Sequence, residues 1–149
     1  MQNFAPIALF VYNRPKHTER TLKFLQQNEL ASESRLFIFS DGAKTTDDEE
    51  KVKAVREYIN GIDGFKSVEI IESNGNMGLA NSVIAGVTKL TETYGQVIVF
   101  EDDLISSPFT LTYFNEALNR YRDEEKVMHI GAYMYVLDDK NLPESFFYR

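Results

Sequence analysis

The sequence predicts an α/β protein with a mainly parallel central sheet and helices on both faces. Three observations predict it. Short apolar runs alternate with helical patterns along the 149-residue chain, which is the mark of successive βαβ units. Three polar clusters, Tyr12-Asn13-Arg14, Asp41-Gly42 and Glu101-Asp102-Asp103, each follow an apolar run, where the carboxyl end of a strand should lie. No internal repeat, low-complexity tract or linker breaks the pattern, so a single domain over residues 1–149 is expected.

Residues 5–12 form a buried-strand run stopped by Asn13-Arg14-Pro15, and a helix over about 16–28 follows with Leu22 and Leu25 inward. Residues 35–40 are the second strand, ended by Asp41-Gly42. Thr46-Asp47-Asp48-Glu49 reads as a capping box, opening a helix to about residue 60 that buries Val52, Val55 and Ile59. The third strand is 67–73, with Asn74-Gly75-Asn76 as its turn. Leu79, Val83, Val87, Leu90 and Tyr94 then mark one face of a third helix. The fourth strand is 96–100. Ser107-Pro108, an N-cap with proline in the first turn, opens a helix burying Phe114, Leu118 and Tyr121. Residues 127–135 supply one more extended segment.

The bulk properties narrow the function. A 43% apolar content fits a globular chain. No run of eighteen apolar residues or signal-peptide pattern occurs. Cysteine is absent, which excludes disulfides and zinc-thiolate sites; with no targeting signal, a cytoplasmic location is expected. The net charge of −7 argues against nucleic acid or an anionic membrane as the main partner. Asp47-Asp48-Glu49-Glu50 and Asp123-Glu124-Glu125 contribute much of it and read as solvated helix ends.

Glu101-Asp102-Asp103 is the most informative cluster. Three adjacent carboxylates repel one another unless a cation neutralises them, and Mn²⁺ or Mg²⁺ prefers oxygen ligands. In an extended segment Glu101 and Asp103 share one face and Asp102 takes the other. In open sheets of this kind ligands bind beyond the carboxyl ends of the strands, where all three clusters fall. No G-x-G-x-x-G, G-x-x-x-x-G-K-[ST] or G-x-S-x-G occurs, which argues against a dinucleotide fold, a P-loop and a nucleophile elbow. A diphosphate bound here lacks a glycine-rich cradle, so a carboxylate-held cation is the way left to neutralise it.

The order Tyr12-Asn13-Arg14-Pro15, Ser40-Asp41-Gly42, Asn76-x-Gly78-Leu79-Ala80, Val99-Phe100-Glu101-Asp102-Asp103-Leu104 resembles the nucleotide-sugar half of GT-A glycosyltransferases, a Rossmann-like sandwich. Glu101-Asp102-Asp103-Leu104 with Ser107-Pro108-Phe109 and Tyr113-Phe114 is similar to the N-acetylglucosaminyltransferase I type, and the whole to family 2, with Glu-Asp-Asp in place of the usual Asp-x-Asp. The resemblance implies a nucleoside-diphosphate sugar donor, most simply a UDP-sugar, and a saccharide or other hydroxyl acceptor. It implies Mn²⁺ or Mg²⁺ on Asp103, with Glu101 and Asp102 contacting sugar and ribose or metal-bound waters. Asp41 would accept a hydrogen bond from the base, Tyr12 and Asn13 would line the base pocket, and Arg14 would lie near base or phosphate. Gly78 would allow close approach of the nucleotide, with Asn81 or Ser82 facing it; the basic residue or histidine common there in the family is absent. Transfer with inversion is implied, its catalytic base in an acceptor half. Phe146-Phe147-Tyr148-Arg149 leaves little room for that half, so the chain is expected to be part of a longer transferase.

Simpler roles compete. Asp41-Gly42 is a common turn pair, Asn13-Arg14-Pro15 can merely stop a strand, and Asn74-Gly75 is a hairpin signal contradicted by the helical pattern after it. His17 reads as a surface residue, His129 as a packed strand residue, and Asp138-Asp139 as a solvated turn. The aromatic residues of the fourth helix read as core. Two other functions fit an acidic sheet rim: a Mg²⁺-binding phosphoacceptor receiver and a non-catalytic nucleotide-binding scaffold. A receiver would place paired acids after the first strand, where this chain has Tyr12-Asn13-Arg14.

Overall fold

The computed structural model describes residues 4–132. Its elements alternate as expected: β1 (Ile7–Val11), α1 (Pro15–Gln26), a 3₁₀ turn (Ala31–Glu33), β2 (Arg35–Ser40), α2 (Thr46–Ile59), β3 (Ser67–Glu72), α3 (Leu79–Tyr94), β4 (Ile98–Glu101) and α4 (Thr110–Arg120). The four strands form one sheet of order β3-β2-β1-β4. All pairings are parallel, with Phe10 level with Phe39 on one side and Glu101 on the other.

β1 runs through the middle and every residue of it is buried. A strand covered on both faces needs a continuous apolar run, which Ile-Ala-Leu-Phe-Val provides. Side chains alternate between faces. Ile7, Leu9 and Val11 join Leu36, Ile38, Ile98 and Phe100 under α1, α2 and α4, whose Leu22, Leu25, Val55, Ile59 and Leu111 complete the larger core. Ala8, Phe10 and Phe37 face the other way, onto Leu90 of α3 with Val83, Val87 and Tyr94 beside it. α3 sits close to the sheet because Gly86 has no side chain; an added Cβ would lie 2.8 Å from the Phe10 ring.

Several expectations shift. The N-cap of α2 is Thr45, one residue before the expected capping box, and its hydroxyl donates to Asp48 Oδ2 at 2.8 Å. α4 begins at Thr110, beyond Ser107-Pro108. The reason is remote: buried Asn28 accepts the Leu111 N–H at 3.0 Å and donates to Ser106 Oγ at 3.0 Å, doing from the end of α1 what the Ser107 cap was expected to do. Leu79, expected inward, is exposed in the first turn of α3, and Tyr113, expected in the core, is exposed on α4. The fourth strand runs one residue further than expected, taking in Glu101. Residues 127–132 form no strand, and His129 is exposed rather than packed. The rest of the expected 127–135 segment, and Asp138-Asp139, lie outside the described residues. Among the described residues no helix is long and apolar enough to cross a membrane.

Candidate functional site

The carboxyl ends of the strands are joined by side chains from the loops that follow them. At β2 and β3 the organiser is Arg56 of α2. Its guanidinium donates to Ser40 Oγ at 3.2 Å and to the Ser73 carbonyl at 2.8 Å, and it pairs with Glu72 at 3.2 Å. Asp41, the next residue after β2, is buried, and its carboxylate faces the loop between β3 and α3. Oδ1 accepts the N–H groups of Gly42 and Met77 at 2.9 and 2.8 Å. Oδ2 accepts the Gly78 N–H at 2.9 Å and Asn76 Nδ2 at 3.2 Å. Gly78 has φ +78°, a conformation that favours glycine, and its outer side is open.

The loop after β1 is tied to α2. Asp48 accepts hydrogen bonds from Tyr12 Oη at 3.0 Å, Asn13 Nδ2 at 2.6 Å and the Thr45 hydroxyl. Tyr12 Oη in turn accepts the Lys44 N–H at 3.0 Å. The donors from Thr45, Asn13 and Tyr12 hold the Asp48 carboxyl down to about 2, against an ordinary 3.8. Burial, reinforced by the nearby Asp48 charge, raises the Tyr12 phenol above its ordinary value.

At β4, Glu101 is exposed, Asp102 is buried and Asp103 is half exposed. Arg14, at the N-terminus of α1, reaches both aspartates: one Nη meets Asp102 Oδ1 and the other meets Asp103 Oδ2 at 3.1 Å. Burial opposes the guanidinium charge, but the two carboxylates outweigh it and raise the Arg14 pKa. Asp102 Oδ2 is buried without a partner. Among the described residues no three acidic, histidine or cysteine side chains are grouped to hold a metal by themselves. Mg²⁺ commonly takes only one or two carboxylates from a protein; half-exposed Asp103, with the unpartnered Asp102 oxygen beside it, would be the place for such an ion.

Segment 12–14 is thus the hinge of the arrangement, with Tyr12 and Asn13 bound to the start of α2 and Arg14 to the acidic turn. Asp41 and Gly78 meet directly. Asn81 donates to the Met77 carbonyl at 2.9 Å. Ser82 lines a cavity of about 170 Å³ between α3 and the ends of β2 and β3, walled by Phe39, Ile71, Met77 and Ala85 and reaching Asp41; the buried Ser82 hydroxyl is without a partner. Asp48, Arg56 and Asn76 were missed as site residues. Asp48 stood inside the expected capping box, and the polar turn 74–76 held Asn76; no sequence signal pointed to Arg56.

A parallel sheet of this order with helices on both faces is a Rossmann-like fold. Two solved structures that share it are of TarS from S. aureus. One matches with a TM-score of 0.57 and 13% identity over 80% of this chain and 20% of its own. The other, TarS 1-349, matches with a TM-score of 0.52 and 14% identity over 80% of this chain and 33% of its own. The chain thus spans a third or less of the length of these neighbours. No protein-family model and no curated protein sequence matches it.

Proposed function

We propose that this chain is the donor-binding part of a glycosyltransferase that takes a nucleoside-diphosphate sugar, most simply a UDP-sugar, and passes the sugar to a hydroxyl acceptor. One observation carries the reading: segment 12–14 links the start of α2 to the acidic turn after β4 on a rim where a ligand of this fold class binds. The fold shared with TarS, a wall teichoic acid glycosyltransferase, supports it.

In this reading the base lies near Tyr12 and Asn13, whose positions Asp48 fixes. The nucleotide runs along Gly78 and Asn81 toward β4. Asp103 would hold a Mn²⁺ or Mg²⁺, and Glu101 and Asp102 would lie near sugar, ribose or metal-bound waters. A cation held there would supply Lewis-acid stabilisation of charge on the departing diphosphate. Arg14, free to exchange carboxylate for phosphate because its side chain is partly exposed, adds a second positive charge. Transfer breaks the bond from the anomeric carbon to the diphosphate oxygen and forms one to the acceptor oxygen, whose proton goes to a base. Inversion and an acceptor half elsewhere in a longer protein complete the proposal.

The test is titration of UDP by calorimetry with and without Mn²⁺, repeated with Asp103→Ala. Binding that requires Mn²⁺ and is lost in the variant is the expected result. Binding indifferent to Mn²⁺ and to Asp103, or no binding at all, overturns the reading.

A further inference from the structure

We propose that Asp41 is a positioning residue: its carboxylate latches segment 76–78 onto the end of β2 and acts on a bound nucleotide through that segment, not by pairing with a base. The inference rests on the donor-site reading for its nucleotide, but its geometry stands apart from it. An ionised carboxylate offers about four lone-pair sites, and four protein donors occupy those of Asp41. The N–H groups of Gly42 and Met77 point at one oxygen, and the Gly78 N–H and Asn76 Nδ2 at the other. At 8% exposure the residue is also largely closed to solvent. A uracil imide reaching it would have to displace one of these donors; any of the three backbone N–H groups would lose its partner, and Asn76 Nδ2 would give up its bridge between the two loops.

The surroundings are built for the latch. Met77 and Gly78 immediately precede α3, where N–H groups lack helical partners and the helix end favours a negative charge. Asn76 Nδ2 reaches the Gly42 carbonyl at 2.9 Å as well as Asp41, so it bridges the two loops. A Cβ on Gly42 would lie 2.6 Å from the Gly75 carbonyl carbon, so a side chain at Gly42 would force the loops apart. Asp41 thereby sets where Gly78, Asn81 and Ser82 stand. Base selection falls to other groups on the rim.

Amide hydrogen exchange by NMR on the nucleotide-free protein, with UDP titration in Mn²⁺, tests this. In Asp41→Asn the Met77 and Gly78 amides should exchange roughly tenfold faster while β1 amides keep their protection. Asn76→Ala leaves Asp41 in place and frees one of its lone pairs. The latch predicts faster exchange at Met77 and Gly78 and UDP affinity reduced severalfold; direct pairing predicts unchanged exchange and equal or tighter binding. Unchanged Met77 and Gly78 exchange in either variant, or Asn76→Ala binding UDP as well as the parent, overturns the proposal. Should Asp41→Asn not fold, Asn76→Ala decides alone. Should the parent bind no UDP, the donor-site reading falls while the exchange rates still judge the latch.

Discussion

The rim has two halves of opposite character. Around β2 and β3 the polar groups are matched to one another: Asp41 has four donors, and Arg56 ties both strand ends together. Around β4, Asp102 keeps a buried oxygen without a partner, Asp103 is half exposed, and one arginine serves both. Leu104, Ile105 and Phe109, just beyond, are exposed. The first half is largely matched within itself, with the Ser82 hydroxyl left over at its cavity, and the second is completed only by something that brings charge and contact to it. Substitutions in the second should therefore register in ligand binding with little change in stability, whereas those in the first should register in stability and reach binding only through segment 76–78.

The largest effect expected is at Asp103. Asp103→Ala should weaken Mn²⁺-dependent UDP binding roughly 100-fold, or about 2.8 kcal/mol, with little change in Tm because the side chain is half exposed. A large drop in Tm would erase the distinction between the halves. Next is Gly42→Ala, which forces a Cβ against the Gly75 backbone and should cost about 1–3 kcal/mol, read as a Tm lowered by roughly 5 °C in thermal circular dichroism. A variant as stable as the parent would show that the β2–β3 half can give.

Arg14→Gln removes the cation shared by Asp102 and Asp103. Manganese alone, followed by electron paramagnetic resonance of the free ion, should then bind roughly tenfold tighter, an advantage that added salt reduces. Unchanged affinity would mean that Arg14 does not compete for the acidic turn. The smallest effect is at Asp48. Its carboxyl is held at about 2 against an ordinary 3.8, so its stabilisation is complete above the ordinary value and is lost as pH falls through about 2. The parent should melt above Asp48→Asn at neutral pH, and the gap in Tm should close between about pH 4 and pH 2. A gap constant over that range would deny the group its role.

What the sequence disclosed follows the range of each interaction. Arg-Leu-Phe-Ile-Phe-Ser defines β2 to the residue because β propensity and flanking turn signals are local. The inward positions Val52, Val55 and Ile59 follow from helical period alone. The start of α4 did not, since the group that caps Leu111 comes from Asn28 at the end of another helix. Leu79 matches the period of α3 but lies in its first turn, exposed. At the site, clustering of polar residues at strand ends was legible because topology alone brings such ends to one edge. Their pairing was not: Arg14 with Asp102 and Asp103, and Asp48 with Tyr12 and Asn13, are partners fixed by side-chain reach in three dimensions.

The place of β4 bears on how the molecule assembles. The succession from β1 to β3 closes by short crossovers between neighbours in the chain, so it can gather early. β4 must return past β2 and β3 to reach the open side of β1, and the entropy of closing that long excursion is recovered only when it docks. The acidic turn is therefore expected to take shape late, against a scaffold already formed, and in native-state opening it should be among the first parts to let go.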